Sequence, residues 1–303
     1  MRKLIYLLVA LQCAACSKSD DNQPALSNAP SKEIGKDFAA RFPNIEEVTW
    51  RVGFEGYHVA TFTAPAGRLK SNTKNSVTEA WYILSGSCDL VERDLTIDDL
   101  PQAIRQAWES SDEHAEGYTI YDIDCIARDE TPLVKIETEY HSGTYRDGCD
   151  FYFLASGKLL FKNVRMDLAE ENKNTENRPV PTLMREYLSA TYPGAIITDL
   201  EEAIDTPPLY LVTLVWKDNL YTAEFVADTK HFRCEYSEWS FTQLPAALQT
   251  ALRSISAEAS DANTSAERVR YEPDVSPIPL VFHIDSDIPG LSGLQFDEKG
   301  NRL

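Results

Sequence analysis

A spacing that occurs twice constrains this chain's fold more than any single residue does. Leu100-Pro101 opens a predicted helix and Gly157 follows in a hairpin turn; Leu244-Pro245 opens another and Gly300 follows, with Leu-to-Gly separations of 57 and 56 residues. Self-similarity at this length marks a supersecondary unit used more than once. Phe42-Pro43 and Tyr192-Pro193, each ending a predicted helix, stand 150 residues apart, and the Leu-Pro and Gly pairs stand 144 and 143 apart. Offsets this constant argue for duplication of half the chain.

Apolar spacing predicts four helices, each with one buried stripe. The stripes are Ile34, Phe38 and Phe42; Leu100, Ile104, Ala107 and Trp108; Leu183, Tyr187 and Leu188; and Leu244, Leu248, Ala251, Leu252 and Ile255. Asp98 and Thr242 precede the helix-opening prolines and are expected to cap free backbone N–H groups. Strand-like segments follow every helix, beginning with Val48 to Val52, Tyr57 to Thr61 and Ala80 to Leu84. Each unit therefore reads as a helix packed on a short antiparallel sheet, an α+β arrangement.

Residues 169–181 are expected to be a polar linker between domains at 32–168 and 182–303. Residues 1–15 read as an export signal: Arg2 and Lys3 precede the apolar run Leu4 to Leu11, which is too short to span a membrane, and small Ala14-Ala15 lead into Cys16. Residues 16–31 form a polar tether. The 48 acidic residues against 29 basic ones, a net charge of −19, make nucleic acid an improbable partner, because phosphate binding requires a basic face.

In this order and spacing, the aromatic-Pro helix ends, the Leu-Pro helix openings and the turn Phe296-Asp297-Glu298-Lys299-Gly300 resemble the beta-lactamase-inhibitor-like (PepSY-like) family of exported bacterial lipoproteins. The resemblance runs from about Lys32 to Leu303. It implies two tandem domains, each of two repeated modules with a helix packed on a four-stranded antiparallel sheet. It also implies a non-catalytic role, binding or inhibiting another envelope or extracellular protein. The run into Cys16 resembles a lipobox, which implies a lipid on that cysteine and an outer-membrane anchor, periplasmic or surface-facing. Ordinary cleavage after Ala15 is the alternative.

No G-x-S-x-G, H-E-x-x-H, P-loop or dinucleotide fingerprint is present, and the five histidines are scattered, so neither an enzyme nor a cofactor is expected. Asp122 with Asp124, and Asp285 with Asp287, share strand faces and could offer oxygens to calcium, but solvated faces explain them equally well and no metal is assigned. Cys125 and Cys149 fall in one predicted module and are assigned to a disulfide; with Cys88 and Cys234, three full pairings exist.

Setting Gly86, Gly157 and Gly300 in register, with Thr229 in the corresponding third place, aligns the hairpins. Ala80 and Tyr82, Phe151 and Phe153, Ala223 and Phe225, and Leu294 and Phe296 then face the helices. Between them stand Trp81, Tyr152, Glu224 and Gln295, whose polar members mark an open sheet face. Trp81 and Tyr152 are accordingly expected to be exposed anchors for a partner. Tether, loops or the other domain covering them is the alternative. The connection Ala64 to Glu79, basic through Arg68, Lys70 and Lys74, is a second candidate contact. The same aromatics would also suit a small ligand or a glycan.

Overall fold

The structure, a computed structural model, describes residues 29–64, 76–128, 131–142, 145–165, 177–203 and 206–303. The chain is α+β with two antiparallel sheets. The first has eight strands in sequence order: β1 (Val48–Val52), β2 (His58–Ala64), β3 (Ser76–Tyr82), β4 (Cys88–Asp94), β5 (Thr119–Ala127), β6 (Leu133–Ser142), β7 (Tyr145–Leu154) and β8 (Leu159–Arg165). The second has seven, again in order: β9 (Ile196–Ala203), β10 (Leu209–Trp216), β11 (Asn219–Val226), β12 (Phe232–Ser240), β13 (Thr264–Tyr271), β14 (Leu280–Ser286) and β15 (Gln295–Phe296).

Five helices accompany them: α1 (Lys32–Arg41), α2 (Gln102–Glu109), α3 (Asp112–Glu116), α4 (Thr182–Thr191) and α5 (Ala246–Ile255). Four cover one face of the sheets through residues four apart. Ile34 and Phe38 of α1 pack on Ala60, Phe62, Ala80 and Tyr82; Ile104 and Trp108 of α2 pack on Ile136, Phe151 and Phe153. Met184 and Leu188 of α4 meet Val212, Ala223 and Phe225, and Leu248 and Leu252 of α5 meet Phe282 and Phe296. Leu183 and Ile255, placed on buried stripes by spacing, are exposed instead; Met184 takes the core position in α4.

Asp98 and Thr242 do not cap the helices. The prolines occupy the cap positions, and two reciprocal boxes that start two residues ahead of the expected caps close the preceding turns: Thr96 with Asp99, and Ser240 with Gln243. These pairs are themselves 144 residues apart. Arg105 and Gln249 repeat at the same offset, each side chain donating to two carbonyls just ahead of its helix.

The turn glycines sit against the helix starts. Gly157 has φ +96°, and a Cβ there would lie 2.5 Å from the Ala103 Cβ; Gly300 has φ +79°, with its Cβ position 2.8 Å from the Ala247 carbonyl oxygen. In the third hairpin the left-handed position belongs to Lys230 (φ +59°), whose N–H closes the turn on the Val226 carbonyl, and not to Thr229. One inserted residue accounts for the shift.

Candidate functional site

Trp81 and Tyr152 do lie on the face of the first sheet opposite α1 and α2, but they are buried, at 0% and 1% exposure. Their exposure is corrected by the second half of the chain, which closes over this face. Trp81 packs in a cluster with Tyr57, Val59, Leu90, Ile126 and Leu133, to which Ile196 of β9 adds itself. Tyr152 donates its hydroxyl to Asp199 Oδ2 at 2.9 Å. Arg185 of α4 reaches Asp89 Oδ2 at 2.6 Å, and Tyr57 donates to the same carboxylate. Arg128 donates to the Thr198 and Arg178 carbonyls.

The end of the expected linker belongs to this joint. Asn177, Pro179, Val180 and Pro181 are buried, and Asn177 Nδ2 donates to Glu92 Oε1 at 2.9 Å and Asp124 Oδ2 at 3.1 Å. A further tie uses Glu55, which accepts from both the Tyr210 hydroxyl (2.5 Å) and Lys230 Nζ (2.7 Å). Between the two halves lies a cavity of about 320 Å³, whose walls include Ile126, Arg128, Leu133, Arg185, Leu188 and Ile196.

Beside the aromatic patch, strand register assembles a ladder of carboxylates. Glu79 stands opposite Glu92, Asp94 opposite Asp124, Asp122 opposite Glu137, and Glu137 opposite Asp150. Like charges directly opposite across strands destabilise a sheet. Lys135, 1% exposed, lies among them with Nζ 2.5 Å from Glu137 and 4.0 Å from Asp150. Burial opposes its charge, but Asp199, Glu137 and Asp150 outweigh burial and hold the ammonium above the ordinary lysine value. The Glu92 and Asp124 carboxyls are both pushed up, first by burial; Glu79 adds to this at Glu92, and Glu92, Asp122 and Glu137 add to it at Asp124.

The open face is on the second sheet. Alternation places α4 and α5 on one side and rows of cross-strand neighbours on the other. One row runs Leu211, Glu224, Cys234, Tyr271; the next runs Thr213, Thr222, Tyr236, Val269, Val281; a third runs Glu238, Glu267, His283. Tyr236 and Tyr271 are half-buried, as is Glu224, while Glu238, Asp285 and Gln295 are exposed. Glu238, Glu267 and Asp285 gather acidic groups on this surface, and burial, then Glu267 and Asp285, push the Glu238 carboxyl up.

Arg68, Lys70, Lys74 and Cys16 lie outside the described residues. Strand β3 begins at Ser76, so Glu79 belongs to the sheet, where it accepts from Thr61 and Arg51. Cys125 and Cys149 are not bridged; Cys88 and Cys234 are free too. Cys125 pairs with Val134 and Cys149 with Thr138, two strands apart and four residues displaced along β6. That offset separates their Cα atoms by about 16 Å, beyond the ~7 Å a disulfide can span. Among the described residues, no helix is long and apolar enough to cross a membrane.

No protein-family model and no curated protein matches the chain. In fold, the chain resembles a BLIP-like protein from Bacteroides fragilis. The identity is 18% and the TM-score 0.39, over 50% of this chain and 95% of that one. DUF2874 family proteins from Bacteroides ovatus (16% identity, TM-score 0.38, 48% of this chain and 95% of that one) and Bacteroides uniformis (16%, 0.36, 45% and 90%) are similar as well.

The sequence reading missed three things. Strands β4 and β9 escaped it, the second sheet's tyrosines were not singled out, and the partners of Asp122 and Asp124 were not seen. Hairpin alignment was one available signal, since it puts Glu224 on an open face and register extends that face to Tyr236 and Tyr271.

Proposed function

We propose that the chain is a non-catalytic envelope lipoprotein, anchored through Cys16 at the outer membrane, that binds another protein through the open face of its second sheet. Each sheet is, in this reading, a fused pair of duplicated helix-on-strand modules, the last one shortened. The first sheet spends its free face on holding the second domain. Among the described residues, the second keeps a face on which Tyr236 and Tyr271 are partly exposed to an outside partner.

The observation that carries the reading is the row Thr213, Thr222, Tyr236, Val269, Val281 beside Tyr271, bordered by Glu224, Glu238, Glu267 and Asp285. Tyrosines on a rigid sheet bury much area at small entropic cost, and an acidic border selects a partner with a basic surface. The partner is therefore an envelope or extracellular protein presenting a basic rim around an apolar centre. Capture from envelope extract by the full chain should lose one specific protein in the double variant Tyr236→Ala, Tyr271→Ala, with circular dichroism unchanged. Retention of every captured protein would remove this face from the account.

A second reading, binding of a small ligand, is favoured by the cavity between the halves, where Arg128 and Arg185 stand among apolar walls. Chromatography of the denatured, purified protein for a released small molecule separates the two readings.

A further inference from the structure

We propose that the joint between the two halves is a proton-held latch: Glu92 of β4 and Asp124 of β5, both gripped by Asn177, keep it closed while they carry protons and release it when they ionise. Asn177 begins the segment that leads into α4, and it is 2% exposed. Its Nδ2 donates to Glu92 Oε1 at 2.9 Å and to Asp124 Oδ2 at 3.1 Å, while its Oδ1 has no hydrogen-bond partner. One amide nitrogen thus holds two carboxyls whose accepting oxygens are at most about 6 Å apart, a separation at which each charge disfavours the other. The same segment is tied to the first sheet by Arg128, which donates to the Arg178 carbonyl.

Every strand around the pair adds groups of the same sign. Glu79 of β3 stands opposite Glu92, and Asp94 of β4 stands opposite Asp124; Asp122 of β5 faces Glu137 of β6, which faces Asp150 of β7. Asp199 of β9 comes in from the second half. The cations on this face are Lys135 beside Glu137, Arg51 beside Glu79, and Arg128, whose guanidinium reaches the Thr198 carbonyl. The carboxyls outnumber these cations, and Asp124, Glu137 and Asp150 are buried from water, so full ionisation of the set opposes the closed packing. Burial first, then Glu79, pushes the Glu92 carboxyl up against Asn177, Arg128 and Lys135; burial, then Glu92, Asp122 and Glu137, pushes Asp124 up against Lys135.

Lifting the Asn177 segment returns both carboxyls to water, where they ionise as ordinary ones do. The closed form therefore binds protons that the open form has released. Its advantage is complete below the ordinary carboxylate range and falls by up to about tenfold per pH unit for each group as pH rises through the raised values of the closed form. Two other ties across the joint do not weaken in that window. Burial, then Asp89, pushes the Tyr57 hydroxyl up, and burial, then Asp199, pushes the Tyr152 hydroxyl up, so both go on donating and set how alkaline the solution must be before the latch yields. The cavity between the halves gives water a route, since Ile126 in its wall stands opposite Glu92. Opening uncovers the cluster of Tyr57, Trp81 and Leu90 against which Ile196 packs, so exposure of that aromatic face depends on pH whatever binds the second sheet.

The test is hydroxyl-radical labelling of the full chain across the window, scored against exposed Leu183. Between about pH 6 and about pH 9, labelling of Trp81 and Tyr152 in the wild type should rise about tenfold or more. Trp108, buried under α2 on the other face of the first sheet, should stay protected throughout. The double variant Glu92→Gln, Asp124→Asn should keep Trp81 and Tyr152 protected at every pH. Unchanged protection of these two residues in the wild type would overturn the latch, and so would an equal rise at Trp108, which marks unfolding of the first half, or wild-type opening in the double variant. Should the double variant not fold, Asn177→Asp decides. A third carboxyl at the grip should move the rise in labelling about one pH unit or more toward acid, and an unmoved profile overturns the proposal.

Discussion

Asp124→Asn should stabilise the protein at alkaline pH and leave it almost unchanged in acid. Asp124 is buried and faces Glu92, Asp122 and Glu137, all of which favour its protonated form; Lys135 opposes them more weakly. Its native carboxyl therefore titrates above the unfolded one. The native state then binds a proton that the unfolded chain has released. That contribution to stability is complete below the ordinary carboxylate range and is lost as pH rises through the native value. Each such group lowers stability by up to about 1.4 kcal/mol per pH unit across the window, and Glu92, shifted the same way, adds to the slope over its lower part.

The substituted amide has no proton to lose, and its oxygen can still accept from Asn177. From roughly pH 5 to pH 7 the two stability curves should thus diverge by about 2–3 kcal/mol in the variant's favour. Urea unfolding at several pH values, in chelator so that no divalent ion compensates the charge, measures this. Parallel curves, or a variant weaker than wild type at alkaline pH, would refute the argument that the carboxylate ladder is held together by protons.

Tyr152→Phe removes the hydroxyl that Asp199 accepts across the joint, a buried bond to a charged group, and should cost about 1.5–3 kcal/mol in urea unfolding; a loss below about 0.5 kcal/mol would place that bond outside the energetics of docking. Gly157→Ala forces a methyl onto the Ala103 Cβ in a left-handed turn and should lower stability by about 1–3 kcal/mol, whereas a neutral result would mean the turn does not press on α2. Alkylation of the unfolded, unreduced protein should modify all four of Cys88, Cys125, Cys149 and Cys234, and protection of any two would reveal a disulfide.

Local pattern made the helices legible. Residues four apart, such as Ile34 with Phe38 and Leu248 with Leu252, define a face without reference to anything distant. In α4 the same rule chose Leu183 over Met184, because both are apolar and only the packing against Val212 and Phe225 distinguishes them. Alternation likewise identified the side of the sheet on which Trp81 and Tyr152 stand. It could not reveal what lies across from that side, since Ile196, Asp199 and Arg185 come from more than thirty residues away. The carboxylate ladder was half legible for the same reason. Asp122 and Asp124 are two apart on one strand, but Glu137 joins them only through the register of β5 on β6, which sets it opposite Asp122. Polar composition marked 169–181 as a linker, yet Asn177 and Val180 at its end are core residues of the joint.

Hydroxyl-radical footprinting of the full chain, read by mass spectrometry with and without envelope extract, tests the division of labour between the two sheets most directly. Trp81 and Tyr152 should resist oxidation in both conditions, while Tyr236 and Tyr271 should oxidise in the free protein and become protected when the partner is present. Ready oxidation of Trp81 and Tyr152 in the folded protein, with Tyr236 and Tyr271 indifferent to the extract, would contradict the assignment of the binding face to the second sheet.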